Sequence, residues 1–178
     1  TYAAVGGAWN LLLTSNASGT SSVTFNSTYI TSTYEVYKIV INGLTSSSDG
    51  DSIRISAATD NSTFTHQGYA GLSAFATTTG SAFTTFTGQP NAAGAIAIGY
   101  YISDFAASKG FNTDIIIYNA NSNTETMLDI NTVQRSSQNK FVNEKGVLRF
   151  NQGSLNAFKF NCNAGNMTGK FSLYGLVQ

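Results

Sequence analysis

Charge is what this chain has least of. Acidic and basic side chains make up 10% of its 178 residues, where an average soluble domain carries about 25%. Nine Lys and Arg balance nine Asp and Glu, so the net charge is zero. Phosphate binding needs clustered Lys and Arg; these are spread along the sequence, which argues against a nucleic-acid partner. Histidine and cysteine occur once each, as His66 and Cys162. One thiol cannot form an internal disulfide, and a structural zinc site needs more His and Cys than the chain has. Cys162 shares a strand face with Phe158 and Phe160 and reads as a small buried hydrophobe. Nothing reads as a signal peptide, a lipidation site or a membrane-crossing run, so no membrane insertion is expected. The start at Thr1 is that expected of a fragment, a processed form or an excised domain.

What takes the place of charge is Ser, Thr and Asn, interleaved with enough apolar (42%) and aromatic (12%) residues to build a core. The apolar residues recur every second position, as in half-buried strands. In the closing Gly169–Val177, Phe171, Leu173 and Gly175 point one way while Lys170, Ser172 and Tyr174 point the other. The same pattern predicts strands over Ala8–Thr14 (Trp9, Leu11 and Leu13 on one face), Val23–Phe25, Tyr34–Leu44 and Ser52–Thr59. It continues over Ala95–Ser103, Asp114–Ala120, Thr124–Arg135, Val147–Asn151, Ala157–Cys162 and Thr168–Val177. Turns are expected at Asn16–Ser21, at Asp49-Gly50 and at Asn121–Asn123, and the Asp-Gly turn makes Tyr34–Thr59 read as a hairpin. Residues 71–95, rich in Gly, Ala, Thr and Ser with the only proline at Pro90, read mostly as long surface loop. Asp104–Lys109 offers one short helical turn, and no window sustains a helical period. Roughly ten strands point to an all-β fold with negligible helix, an antiparallel β-sandwich of the jelly-roll type. Residues 1–7 read as a Gly/Ala linker to an upstream segment, and 8–178 as a single β-sandwich domain.

Catalytic signals are wanting. His66 has no nucleophile at a telling spacing, and no serine sits in a Gly-x-Ser-x-Gly elbow. Paired carboxylates could hydrolyse glycans, but the acidic residues are scattered over turns and outward strand positions. Asp49-Gly50-Asp51 with Asp60-Asn61 could offer oxygens to calcium, yet the loop pattern with its bidentate Glu is absent, and a turn explains the residues better. The chain is therefore read as no enzyme, with no metal and no cofactor. The charged stretch from Arg135 to Arg149, with Lys140, Glu144 and Lys145 between, reads as a solvated loop rather than a contact for anionic glycan. Binding concentrates in long loops on rigid scaffolds. The ligand site is accordingly placed in loops 60–95, with His66, Tyr69, Phe86 and Asn91 as its candidate residues.

Three stretches carry a family resemblance: Gly7-Ala8-Trp9-Asn10-Leu11-Leu12, Val23–Tyr34 running into Tyr37-Lys38-Ile39-Val40-Ile41, and Gly169-Lys170-Phe171-Ser172-Leu173-Tyr174-Gly175. Together they resemble the C-terminal β-domains of tail-fibre and other virion-associated proteins of tailed bacteriophages, particularly aquatic ones. The resemblance spans residues 8–177 in layout, matches most closely at the two ends and leaves 71–95 unmatched. It implies a jelly roll, often trimeric, located in the virion at a fibre tip or on the capsid surface. It brings no catalytic residues with it. The expected function is that of a virion structural protein, the distal domain of a tail fibre attaching to host-surface glycan. The expected partners are two further copies of the chain in a homotrimer and other virion proteins. The alternatives are a capsid decoration or head-fibre protein without a ligand, a glycan-cleaving tailspike domain, and a cellular adhesin.

Overall fold

Alternating apolar and polar residues, many of them β-branched or aromatic, form strands, and strands are the only helical or extended elements among the described residues. The computed structural model describes residues 7–64, 68–77, 81–86, 95–102, 110–135, 141–151 and 153–177. Among these residues twelve strands follow in chain order. They are β1 (Trp9–Thr20), β2 (Val23–Phe25), β3 (Val36–Ser46), β4 (Asp51–Ala58), β5 (Gly68–Thr77) and β6 (Ser81–Phe86), then β7 (Ile96–Ile102), β8 (Phe111–Tyr118), β9 (Thr126–Arg135), β10 (Phe141–Phe150), β11 (Ala157–Cys162) and β12 (Met167–Leu176).

They build two antiparallel sheets. One has eight strands in the order β1-β12-β3-β8-β9-β10-β5-β6, the other four in the order β2-β11-β4-β7. Setting aside the hairpins β5–β6 and β9–β10 leaves β1-β12-β3-β8 facing β2-β11-β4-β7. That is the strand order of a jelly roll, in which the chain repeatedly crosses from one sheet to the other. The two hairpins widen the larger sheet beyond β8. Gly7 and Val177 lie at the same end of the sandwich, where the Val177 N–H donates to the Ala8 carbonyl at 3.1 Å.

The core lies between the sheets. Tyr37, Ile39 and Ile41 of β3, Ile115 and Ile117 of β8, and Phe171 and Leu173 of β12 face Phe25, Ile53, Ile55, Phe158 and Phe160 of the smaller sheet. Phe160 of β11 ties the layers together: its ring lies 6.2 Å from Phe25, edge-on, and 5.7 Å from Phe171 across the sandwich. Each such fully buried ring contributes about 1.5–3 kcal/mol relative to exposure.

The structure corrects several expectations. The Tyr34–Thr59 unit is an arch, not a hairpin, because β3 and β4 belong to different sheets. Gly50, at φ +71°, makes the expected turn. A turn signal announces a chain reversal without saying whether the flanking strands then pair. β1 runs through the expected 16–21 turn to Thr20, held by pairing of Ala17 with Gly169 and Ser18 with Thr168. A bulge between Leu11 and Leu13 splits the expected Trp9/Leu11/Leu13 face. Trp9 and Leu11 pair with Leu176 and Tyr174 on the outer surface, while Leu13 pairs with Leu173 and turns inward. Much of the expected 71–95 loop is the β5–β6 hairpin; its small residues hide the alternation, and β10 supplies the ladder.

The Arg135–Arg149 stretch is likewise no solvated loop over its described part. β10 begins at Phe141, six residues before the expected Val147, and Glu144 faces inward at 3% exposure. The polar Glu144 and the side-chain-free Gly146 interrupt the apolar series Val142, Leu148, Phe150 that would have revealed the strand. The Asn121–Asn123 turn is present, with Asn119 and Asn121 in the left-handed region. The expected helical turn at 104–109 lies outside the described residues.

Candidate functional site

Of the four residues placed in the 60–95 region, His66 and Asn91 lie outside the described residues. Tyr69 and Phe86 stand on strands rather than in loops, because the flanking small residues pair as the β5–β6 hairpin. Tyr69 is registered opposite Arg149 on β10, and Phe86 opposite Leu72 within the hairpin. The strand ends that flank these positions, Ala58, Gly68, Phe86 and Ile96, all lie at the end of the sandwich that also carries the described chain ends, since Ala58 pairs with Ala157, Gly68 with Phe150, and Ile96 with Ile55.

At that same end, on the opposite margin of the larger sheet, the described residues form an open cleft of about 400 Å³. The start of β1, the segment leading into β3 and the end of β12 enclose it, contributing Asn10, Ser32, Thr33, Tyr34 and Glu35. Leu176 and Val177 supply its apolar wall. Among the described residues no lysine, arginine or histidine lines it.

The cleft is held by specific contacts. The Tyr37 hydroxyl donates to the Thr31 carbonyl at 2.6 Å and accepts the Thr31 N–H at 2.7 Å, closing the 31–37 segment on itself. Burial raises the Tyr37 phenol above its ordinary value, so it stays protonated and able to donate. Tyr34 packs edge-on against Tyr37, with ring centroids 5.7 Å apart. It also lies directly over Gly175, where a Cβ would stand 2.6 Å from the ring. The Thr33 N–H donates to Thr31 Oγ1, and the Asn119 N–H anchors the Glu35 carbonyl at 3.2 Å. Sequence reasoning missed this cleft. Its signal is the run Thr31-Ser32-Thr33-Tyr34-Glu35, hydroxyls ending in a ring and a carboxylate just ahead of the strongest strand.

Three of the carboxylates weighed for calcium or catalysis, Asp51, Asp60 and Asp114, have structural duties. Asp51, at the start of β4, is buried and accepts hydrogen bonds from Ser46 Oγ (2.7 Å) and from the N–H groups of Ser52, Asn163, Ala164 and Gly165 (2.7–3.3 Å). Burial alone would raise its carboxyl; those donors outweigh it and hold the group below the ordinary carboxylate range. Both oxygens are occupied by donors, which leaves little for a cation. Asp60 is exposed and closes its own turn on the Ser62 and Thr63 N–H groups and on Thr63 Oγ1, which holds its carboxyl well below the usual range. Asp114 pairs with Lys38 at 2.8 Å and Glu125 with Arg149 at 3.3 Å. Among the described residues no three His, Cys, Asp or Glu side chains come together as a metal site would require. Cys162 is buried, and that burial pushes its thiol up to about 11, which keeps it unreactive.

The outer face of the larger sheet mixes exposed apolar side chains with charged ones such as Lys38, Asp114, Asp129, Lys145, Arg149 and Lys170. Cross-strand pairing aligns Leu11, Tyr174, Lys38, Ile116, Asp129 and Val147 in one row. Leu11 is 58% and Val147 65% exposed.

No family model matches the chain, and no curated protein matches it. Among solved structures, arcelin-5, a lectin-like defence protein from Phaseolus vulgaris, is 8% identical over 93% of this chain and 99% of its own, with a TM-score of 0.19. A likeness that faint carries no argument.

Proposed function

We propose that this chain is a non-enzymatic virion domain, the distal part of a tail fibre, which attaches to host-surface glycan as a homotrimer. The observation that carries the reading is a preorganised cleft of hydroxyl, amide, carboxylate and aromatic groups, with no basic residue among its described lining, on a jelly roll. Rigid frames lower the ordering cost of weak contacts, and three such sites on one tip would multiply avidity without new contacts. The resemblance to phage virion domains supplies the location. Its three stretches fall on β1, on β2 through the first half of β3, and on β12, with β1, β12 and β3 adjacent in one sheet.

Glycan cleavage is the weaker reading, because it needs two converging carboxylates and the cleft has Glu35 alone among its described lining. Capsid decoration without a ligand is favoured by a different observation, the exposed apolar side chains Leu11, Met127, Val133 and Val147 on the outer sheet face, which suit contact with other virion proteins. Parallel binding of the labelled chain to intact bacterial host cells and to purified phage capsids separates the two. Attachment to cells is expected. Capsid binding with silent cells would replace the fibre reading with decoration.

A further inference from the structure

We infer that Asn42-Gly43 is a latent self-modification site, a succinimide-forming step that the side chain of Asn112 holds closed. The inference is independent of the attachment reading. Asn42-Gly43 is the one Asn-Gly step in the sequence. Asparagine is chemically labile, and most so before glycine, whose missing side chain leaves the next amide nitrogen open to the carboxamide.

Folding places this step at a bulge in β3. Between Ile41 and Leu44 two residues stand opposite the single Asn112 of β8, and between Asn42 and Thr45 two stand opposite the single Gly169 of β12. Gly43 takes up the extra length in the left-handed region, at φ +61°, which costs glycine no side-chain clash. A bulge takes backbone groups out of the ladder. Here the Gly43 N–H turns to a side chain instead. It donates to Asn112 Oδ1 at 3.0 Å, while Asn112 Nδ2 donates to the Gly110 carbonyl at 3.2 Å. The backbones pack closely around that clasp: a Cβ on Gly110 would stand 2.9 Å from Gly43 Cα, and one on Gly169 2.9 Å from Leu44 Cα. Asn42, Gly43 and Asn112 are all exposed, so water reaches the step.

The chemistry needs that same nitrogen. Gly43 N gives its proton to a solvent base and attacks Asn42 Cγ. The new C–N bond closes an imide ring, the Cγ–Nδ2 bond breaks, and ammonia leaves as solvent returns the proton. Water then opens the ring at either carbonyl, leaving aspartate or isoaspartate; nothing is oxidised or reduced. A nitrogen whose proton is held on Asn112 Oδ1 neither loses it readily nor turns toward Cγ. Asn112 is thus a positioning residue that acts by restraint. Aspartate would add a charge opposite Lys170. Isoaspartate would lengthen the main chain of β3 between β12 and β8 and break the ladder there.

The test incubates the intact chain in mildly alkaline heavy-oxygen water, folded and in urea. Mass spectrometry of the peptide spanning 39–54 then reads label entering at position 42. The folded chain should react at least roughly tenfold more slowly than the unfolded one, since attack must await local opening. Asn112→Ala should raise the folded-state rate roughly three- to tenfold, the measure of one net hydrogen bond. Asn112→Asp keeps an acceptor and should react as the unaltered chain does. Amide hydrogen exchange at the core positions Ile39 and Leu173 should stay unchanged in both variants, which separates release of Gly43 from loosening of the fold.

Equal rates in the folded and unfolded chain would overturn the inference. So would a folded Asn112→Ala chain that reacts no faster, an Asn112→Asp chain that reacts as fast as Asn112→Ala, or a rise matched by faster exchange at Ile39 and Leu173. Should Asn112→Ala not fold, the Gly43 amide of the unaltered chain decides. Its hydrogen exchange should be slow despite its exposure, and exchange at the unfolded rate would show that no clasp exists.

Discussion

Among the described residues, Asp51 gathers hydrogen bonds from several donors far away in the chain. It joins the β3–β4 turn to the turn between β11 and β12, reaching Asn163, 112 residues downstream. Its carboxyl is held below its ordinary value by its donors, so as the pH falls the unfolded chain takes up that proton first. The stability it confers is full above about pH 5, fades below the unfolded value of about 3.9, and is lost as the pH passes through the folded value. Asp51→Asn is expected to cost about 2–3 kcal/mol at neutral pH, since it leaves buried donors poorly matched. Urea midpoints measured from pH 7 to pH 3 should fall less steeply for the variant; parallel curves would show that the clamp is not ionic. Sequence showed Asp49-Gly50-Asp51 as a turn but not this clamp, because its partners at 163–165 are brought near only by folding. Cys162 was legible by contrast: a lone thiol in step with Phe158 and Phe160 can only share their burial.

At the scale of elements, the 31–37 segment shows how a single buried hydroxyl shapes a loop. Tyr37→Phe keeps the ring in the core and removes both bonds to Thr31. The expected cost is about 1–2 kcal/mol, with faster hydrogen exchange at the Thr31 amide. An unchanged exchange rate would mean that the Tyr34 packing alone holds the segment. β1 carries the other element-scale lesson. Trp9, Leu11 and Leu13 recur at every second position, with Leu12 between the last two, yet the bulge at Leu11/Leu13 exchanges the faces midway. No residue in Trp9–Leu13 announces that bulge, since a bulge reflects the register of the partner strand. β10 and the β5–β6 hairpin were obscured for the opposite reason. Their small and polar residues weaken the period-two signal, and a sheet already formed beside them supplies the pairing.

For the whole molecule, the outer face of the larger sheet bears on assembly. β1 forms an edge of that sheet and contains neither Lys, Arg, Asp, Glu nor Pro, the residues that usually guard edges. The homotrimer proposal predicts a solution mass near three times the 18.8 kDa of one chain. Leu11→Lys changes a 58% exposed side chain and should reduce that mass to one chain while leaving the thermal unfolding of the monomer intact. Light scattering across a dilution series decides it: a single-chain mass for the unaltered protein would sink the trimer. Sequence alone determined the strand class, the sandwich, the core residues of β11 and β12, and the near-neutral, hydroxyl-rich surface. Each follows from local periodicity and composition, which survive unfolding. Tertiary structure decided which strands share a sheet, where β1 turns its side chains over, that Glu144 faces inward, and that Asn10, Tyr34, Glu35 and Val177 meet in one cleft. Those outcomes depend on pairing between segments far apart in the chain, and no local pattern encodes a partner.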